Sequence, residues 1–188
     1  MPPSDRDHWN TRYAERPWPQ NVSPWLVSQR DALPRPGTAL DIAGGTGRNA
    51  LWLADLGWSV TITDVSDVAL TMASNRAAVS GTEIVTRLID LTESPLPHGP
   101  WNLILLFHYL DRNLIRAIRP ILAPDGVLIG ALATRKNLER NERPPASFLL
   151  EDGELPQVLV GFDLIAYEEG WQDDRHDARF IARRGSDF

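Results

Sequence analysis

The chain has 188 residues, room for about one domain. With 43% hydrophobic and 23% charged residues it can build a core and is not of disordered composition. It contains no cysteine, which excludes disulfides, a thiolate nucleophile and cysteine-held metals, and its net charge of −6 argues against broad phosphate-driven binding to nucleic acid.

The polar start, residues 1–10, has no apolar stretch and does not read as a secretory signal. The longest central apolar run, Leu103 to Phe107, is too short to cross a bilayer. A soluble, cytoplasmic protein without a membrane partner is expected. The first twenty residues show no clear period, yet Trp9, Trp18 and Trp25 crowd into this end of the chain. Ser23 and Pro24 predict a helix start, with the helix running to about Leu33.

From Thr38 onward strands and helices alternate. Thr38 to Ala43 reads as a buried strand, Arg48 to Leu56 as a helix, and Ser59 to Thr63 as a strand. Ser66 or Asp67 can cap a helix that closes on Gly81. Further strands are predicted at Glu83 to Ile89, Leu103 to Phe107 and Val127 to Ala133. A helix capped by Asp111 should run to Leu122, and Ala123 to Gly126 should form a turn. A loop from Arg135 to Ala146, a short helix from Asp152 to Val160, and two strands at Leu164 to Glu168 and Arg179 to Arg183 complete the chain. This predicts an α/β fold with a mostly parallel sheet and helices on both faces. Ligands of such sheets sit beyond the carboxyl ends of the strands.

Three acids stand at three consecutive strand ends. The first strand runs into Asp41-Ile42-Ala43-Gly44-Gly45-Thr46-Gly47, a turn whose glycines allow close approach of a ligand. Asp64 lies 17 positions beyond Gly47, where an acid can accept two ribose hydroxyls. The plainer role for Asp64 is to cap the helix near Ser66. Asp90 can accept an adenine amino hydrogen while Leu91 packs on the ring, or it can be an ordinary loop acid. Gly45 to Ala50 also fits the G-x-G-x-x-A dinucleotide pattern, and an NAD-dependent oxidoreductase is the alternative reading. Against it, the Asp41 carboxylate would repel a pyrophosphate and favour a cationic ligand end. S-adenosylmethionine offers an ammonium group, a ribose and an adenine, matching Asp41, Asp64 and Asp90 in order.

With these residues in place the sequence resembles the class I S-adenosylmethionine-dependent methyltransferases. Their acid-x-Gly-x-Gly-x-Gly head appears as Asp41-x-Ala43-x-Gly45-x-Gly47, with alanine replacing one glycine. Within the family the chain looks most like the small tellurite-resistance and thiopurine methyltransferase-like group. That likeness rests on H-W-N-T-R-Y at 8–13, S-P-W-L at 23–26, G-R-N-A-L-W-L-A at 47–54, F-H-Y-L at 107–110, F-L-L at 148–150 and H-D-A-R-F-I-A-R-R at 176–184. Asn102 stands where the family often has an acid.

The resemblance implies a Rossmann-like, mostly parallel seven-stranded sheet with a C-terminal antiparallel strand. It implies one domain over 1–188, residues 1–36 being an aromatic cover and 37–188 the core. Trp9, Arg12, Tyr13 and Trp18 would line the cofactor pocket, an aromatic wall suited to a sulfonium, whereas Trp25 fits the core. The implied cofactor site adds Ala43, Gly44, Arg48, Asn49, Val65, Ser66 and Phe107. His108 and Tyr109, after the fourth strand, are the candidate catalytic residues, either able to take a proton from the acceptor; a backbone contact alone is the competing role for His108. The cationic stretch Arg135 to Arg143 could favour an anion or be a solvated loop. No metal-ligand spacing is visible. The implied activity is in-line methyl transfer to a small molecule such as a thiol or a chalcogen oxyanion. A non-catalytic S-adenosylmethionine-binding domain is a further alternative.

Overall fold

A chain that alternates buried strands with capped helices should lay its strands parallel, and the computed structural model, which describes residues 4–185, does so. The outermost three residues of each end, part of the expected 1–188 domain, lie outside the described residues. The chain falls into two compact units, Met1–Pro97 and His98–Phe188.

The first unit opens with a helix the sequence did not announce, α1 (Asp5–Glu15). Ser4 caps it, its Oγ accepting the Asp7 N–H at 3.2 Å. Asp5 and Asp7 lie in its first turn and Arg12 in its last, the arrangement the helix dipole favours. Only Tyr13 of α1 is buried, so the helix has no apolar stripe for a period search to detect.

The expected helix from Pro24 to Leu33 is shorter. It is α2 (Pro24–Ser28), followed by a 3-10 turn at Arg30–Ala32. Next come β1 (Thr38–Ile42), α3 (Arg48–Asp55), β2 (Ser59–Asp64), α4 (Asp67–Ser80) and β3 (Ile84–Leu88). The three strands are parallel in the order β3-β2-β1, with Ile42 opposite Thr63 and Asp64 opposite Leu88. Ser66 caps α4 by accepting the Ala69 N–H, and Gly81 ends it in the left-handed conformation. Helices α3 and α4 pack on β2 and β3. Leu40, Ile42, Leu53 and Ile62 are fully buried. Trp25 is also in the core, as expected.

The second unit contains β4 (Trp101–Phe107), α5 (Arg112–Ile118), β5 (Leu122–Ala133), α6 (Leu155–Val158), β6 (Phe162–Gln172) and β7 (Arg175–Arg184). The strand order is β4-β5-β7-β6; β4 and β5 are parallel, and β7 runs antiparallel to both its neighbours. Helix α5, expected to reach Leu122, stops at Ile118 because Pro120 brings no N–H; a 3-10 turn follows. The expected turn at residues 123–126 is a bulge inside β5. Trp101 pairs with Leu122 and Leu103 with Val127, and Asp125 takes φ +58° to absorb the extra residues. The helix expected over 152–160 is only one turn, and the 135–146 loop contains a 3-10 turn at Arg135–Glu139. The last two strands form a longer hairpin than their apolar alternation indicated.

Candidate active site

The carboxyl ends of β1 and β2 meet at the glycine turn. Asp41 is 2% exposed, and its Oδ2 has no hydrogen-bond partner. One backbone N–H, that of Ala50 in the first turn of α3, supports the carboxylate. Burial pushes the Asp41 carboxyl up to about 7; Arg48 opposes the shift and Asp64 adds to it. Gly44 lies against this group: a Cβ there would sit 2.7 Å from Asp41 Cγ. The turn begins with Ala43 at φ +51°, a left-handed conformation that glycine adopts more easily than alanine.

Asp64 fastens the turn. Its Oδ2 accepts the Gly45 N–H at 2.9 Å and its Oδ1 accepts the Ser66 N–H at 2.9 Å. Burial raises its carboxyl above the usual range, against the pull of these backbone bonds. Ser66, not Asp64, caps α4. Each Asp64 oxygen retains acceptor capacity for a ribose hydroxyl. Gly44 N–H in turn donates to Thr63 O at 3.1 Å, tying the loop to β2.

Tyr13 reaches the same turn from α1. Gly45 has φ +57°, and a Cβ on it would lie 2.5 Å from the Tyr13 hydroxyl. Burial, reinforced by the Asp64 charge, raises the Tyr13 phenol. Tyr13 and Trp18 rings are 4.5 Å apart, and Trp9 lies 5.9 Å from Tyr13. The Arg12 guanidinium sits over Trp9 at 5.1 Å and over Trp18 at 5.7 Å, so the cation already on these rings is the chain's own. Trp18 Nε1 donates to Arg12 O at 3.2 Å.

Two anchors in this unit escaped the sequence reading. Asn10 donates to Asp67 Oδ1 at 2.8 Å and accepts from Ser66 Oγ at 2.6 Å, docking α1 on the start of α4. Arg76 donates to Thr46 O and Gln20 O, both at 2.9 Å, clamping the glycine turn to the segment after α1. Asn10 lies within the H-W-N-T-R-Y stretch, which gave it no role of its own, and Arg76, in the third turn of α4, belongs to no motif. Asn49, one of the expected residues, is buried and accepts the Ser23 N–H at 2.9 Å, so its side chain is a structural tie to α2.

Asp90 lies just beyond β3, half-buried like Leu91. Its Oδ1 accepts from Thr92 N–H (2.9 Å) and Thr92 Oγ1 (2.6 Å), the bonds of a local turn. Val65 is half-buried beside Asp64.

In the second unit, Phe107 ends β4, and His108 follows at φ +59°, its N–H donating to Ala131 O at 2.8 Å. His108 Nδ1 is 2.9 Å from Arg175 Nη2. A guanidinium only donates, so Nδ1 accepts and the ring proton resides on Nε2. Tyr109 is half-buried next to it. The cationic loop is largely paired: Arg135 with Glu151 at 2.6 Å, Lys136 with Asp152 at 3.4 Å, and Arg140 stacked 3.7 Å over Trp171. Among the described residues no cluster of His, Asp or Glu could hold a metal ion, and no helix is long and apolar enough to cross a membrane.

Residues 39–126 match a family model described as a methyltransferase domain. Among curated proteins no sequence matches. The solved structure reported for conversion of a disulfide bond into a thioacetal group during echinomycin biosynthesis is similar at TM-score 0.76 and 20% identity, over 95% of this chain and 92% of that one. TehB from Haemophilus influenzae is similar at TM-score 0.75 and 19% identity, over 96% of this chain and 67% of its own. The N-methyltransferase NodS from Bradyrhizobium japonicum, solved with S-adenosyl-L-homocysteine, gives TM-score 0.73 and 18% identity, over 95% and 98%. At these identities the likeness shows the fold, and it is the seven-stranded Rossmann-like fold expected from the sequence.

Proposed function

We propose that this chain, an S-adenosylmethionine-dependent methyltransferase by its domain and class I fold, transfers the methyl group to a small-molecule acceptor such as a thiol or an oxyanion. The observation that carries the cofactor assignment is the buried Asp41 carboxylate, whose Oδ2 has no hydrogen-bond partner. A buried charge without a partner is costly, and a ligand ammonium placed against Gly44 supplies the missing donor. A dinucleotide pyrophosphate would meet repulsion at the same point, which argues against the oxidoreductase alternative.

When bound, S-adenosylmethionine supplies a methyl group on a cationic sulfur, which leaves with the electron pair of its broken C–S bond. The chain's part is binding, orientation and exclusion of water. Asp41 takes the ammonium, Asp64 the ribose hydroxyls, and Asp90 with Leu91 the adenine. The turn from Ala43 to Gly47 permits close approach, with Arg48, Val65 and Ser66 around it. Trp9, Arg12, Tyr13 and Trp18 form the cover. Phe107, His108 and Tyr109 are assigned to the reacting end. The reading places the protein in the cytoplasm, on the expectation from its sequence.

The test is calorimetric titration with S-adenosylmethionine, followed by a screen of thiols, phenols and chalcogen oxyanions for S-adenosylhomocysteine formation. Saturable binding and one productive acceptor are expected. Binding without any productive acceptor would leave a non-catalytic binding domain, and no binding removes the reading altogether.

A further inference from the structure

Strand β3 (Ile84–Leu88) pairs only with β2, and its other edge has no strand neighbour. The Ile89 N–H donates to Asp64 O at 2.9 Å, which fixes the direction of the backbone groups. These alternate along a strand, so Val85 and Arg87 turn theirs toward β2, whereas Ile84, Thr86 and Leu88 turn theirs outward. An edge of this kind can accept a further strand.

The side chains specify which strand it accepts. Glu83, directly before β3, Val85 and Arg87 alternate on one face and are all exposed. Glu83 and Arg87 carry opposite charges and stand two residues either side of Val85. About 13 Å of extended chain separates them, too far for a mutual ion pair. Neither has an ion pair or side-chain hydrogen bond with another described residue. Natural sheets protect their edges with charge that repels a second copy. Strand β6, the edge of the second unit, has that protection, since it carries Asp163, Glu168 and Glu169 and no cation. The charges flanking Val85 are opposite and symmetric instead.

We infer that two copies of this chain join through β3, paired antiparallel across a two-fold axis at Val85, so that Glu83 of each faces Arg87 of the other. The same surface serves both copies, and the pairing closes at two. Ile84 of one copy and Thr86 of the other, with their outward N–H and C=O groups, form the hydrogen-bonded pairs. Val85 with Val85, and Glu83 with Arg87, form the non-hydrogen-bonded pairs, whose side chains approach more closely. Sliding the copies by one step sets Arg87 opposite Val85 and Glu83 opposite Ile89, so the charges select one register. Beside this edge opens a cleft of about 700 Å³ lined by Trp58, Ala77, Ala78, Thr82 and Ile84. In the charge-paired register Leu88, 47% exposed, stands opposite Thr82 of the second copy at the cleft's rim. The seam is short, so the dimer belongs to the small, reversible class of interfaces.

The test is sedimentation velocity of the full chain over a range of concentrations at low and high salt. It compares the unmodified protein with charge variants whose circular dichroism and melting temperature show them folded. We expect a reversible monomer–dimer equilibrium that weakens as salt screens the two ion pairs. Arg87→Glu and Glu83→Arg each set like charges opposite one another twice, and each should weaken the dimer by about tenfold. Combining Glu83→Arg with Arg87→Glu in one chain exchanges the charges and should recover the dimer. An equimolar mixture of the two single variants should also associate, because each supplies the charge the other lacks. Thr86→Pro removes an outward N–H and should lower association while the ladder to β2 stays intact. A chain that remains monomeric at every concentration overturns the inference. So does a dimer whose strength the single charge reversals leave unchanged, because it uses another face.

Discussion

The Asp64 carboxylate holds the Gly45 N–H at 2.9 Å, joining the carboxyl end of one strand to the turn that follows its neighbour. One side chain therefore has two tasks, since the oxygens that shape the turn are also those assigned to the ribose. Asp64→Ala should weaken S-adenosylmethionine binding by about 1–3 kcal/mol and also lower stability, because Gly45 and Ser66 lose their acceptors. Asp64→Asn keeps one acceptor oxygen and should recover stability more than affinity. Calorimetry on the folded variants checks this, and unchanged affinity in either would sink the ribose assignment.

Asp41 gives a pH dependence of definite sign. Its folded carboxyl is raised from 3.8 to about 7, mainly by burial. Between those values the folded protein holds a proton that the unfolded chain has released. This group's contribution to stability therefore falls as pH rises from about 4 towards 7. A ligand ammonium reverses the preference, because it needs the carboxylate. Cofactor affinity should climb by up to about tenfold per pH unit below 7 and then level off, with proton release on binding. Asp41→Asn should flatten both trends and stabilise the ligand-free protein above pH 7. Melting temperatures across pH, and calorimetry in buffers of different ionisation enthalpy, measure the two effects.

Much of this site could be read from the sequence, and what could not had a common physical cause. The β1–α3–β2–α4 segment has buried strands, a serine cap and glycine punctuation, all local signals, so the elements that carry Asp41, Gly45, Asp64 and Ser66 form where expected. Helix α1 was missed because it buries only Tyr13 and is held by polar bonds from Asn10 to Ser66 and Asp67. Arg76 and Arg175 were missed because each works through a partner distant in sequence, Thr46 in one case and His108 in the other. The bulge at residues 123–126 has the composition of a free turn; only pairing of Trp101 and Leu103 across it reveals a strand.

Docking of α1 rests on few bonds, so it can be loosened selectively. Asn10→Ala removes the donor to Asp67 and the acceptor for Ser66 Oγ, at a cost of about 1 kcal/mol for a partly buried hydrogen bond. Arg6→Ala removes a half-exposed ion pair with Asp67 and should change stability very little. Asn10→Ala should red-shift the fluorescence of Trp9 and Trp18 and speed proteolysis between residues 4 and 22. It should also reduce cofactor affinity if the aromatic segment covers the site. Equal proteolysis rates in Asn10→Ala and the unmodified protein would count against this anchor.

Gly45 and Tyr13 offer a coupling that can be measured directly. Gly45→Ala imposes a side chain at φ +57° and drives its Cβ to 2.5 Å from the Tyr13 hydroxyl. The backbone term alone costs about 1–2 kcal/mol, and the collision adds to it. In a Tyr13→Ala background only the backbone term remains, so the double variant should lose less stability than the sum of the single changes. Ala43→Gly provides the reverse comparison. At φ +51° it relieves a left-handed alanine, and after the greater freedom of glycine in the unfolded chain it should be neutral or stabilising by up to about 1 kcal/mol. Denaturant unfolding of the four Gly45 and Tyr13 combinations tests the contact. Strict additivity would mean that Tyr13 does not rest on the turn in solution, and the cover assigned to α1 would have to be withdrawn.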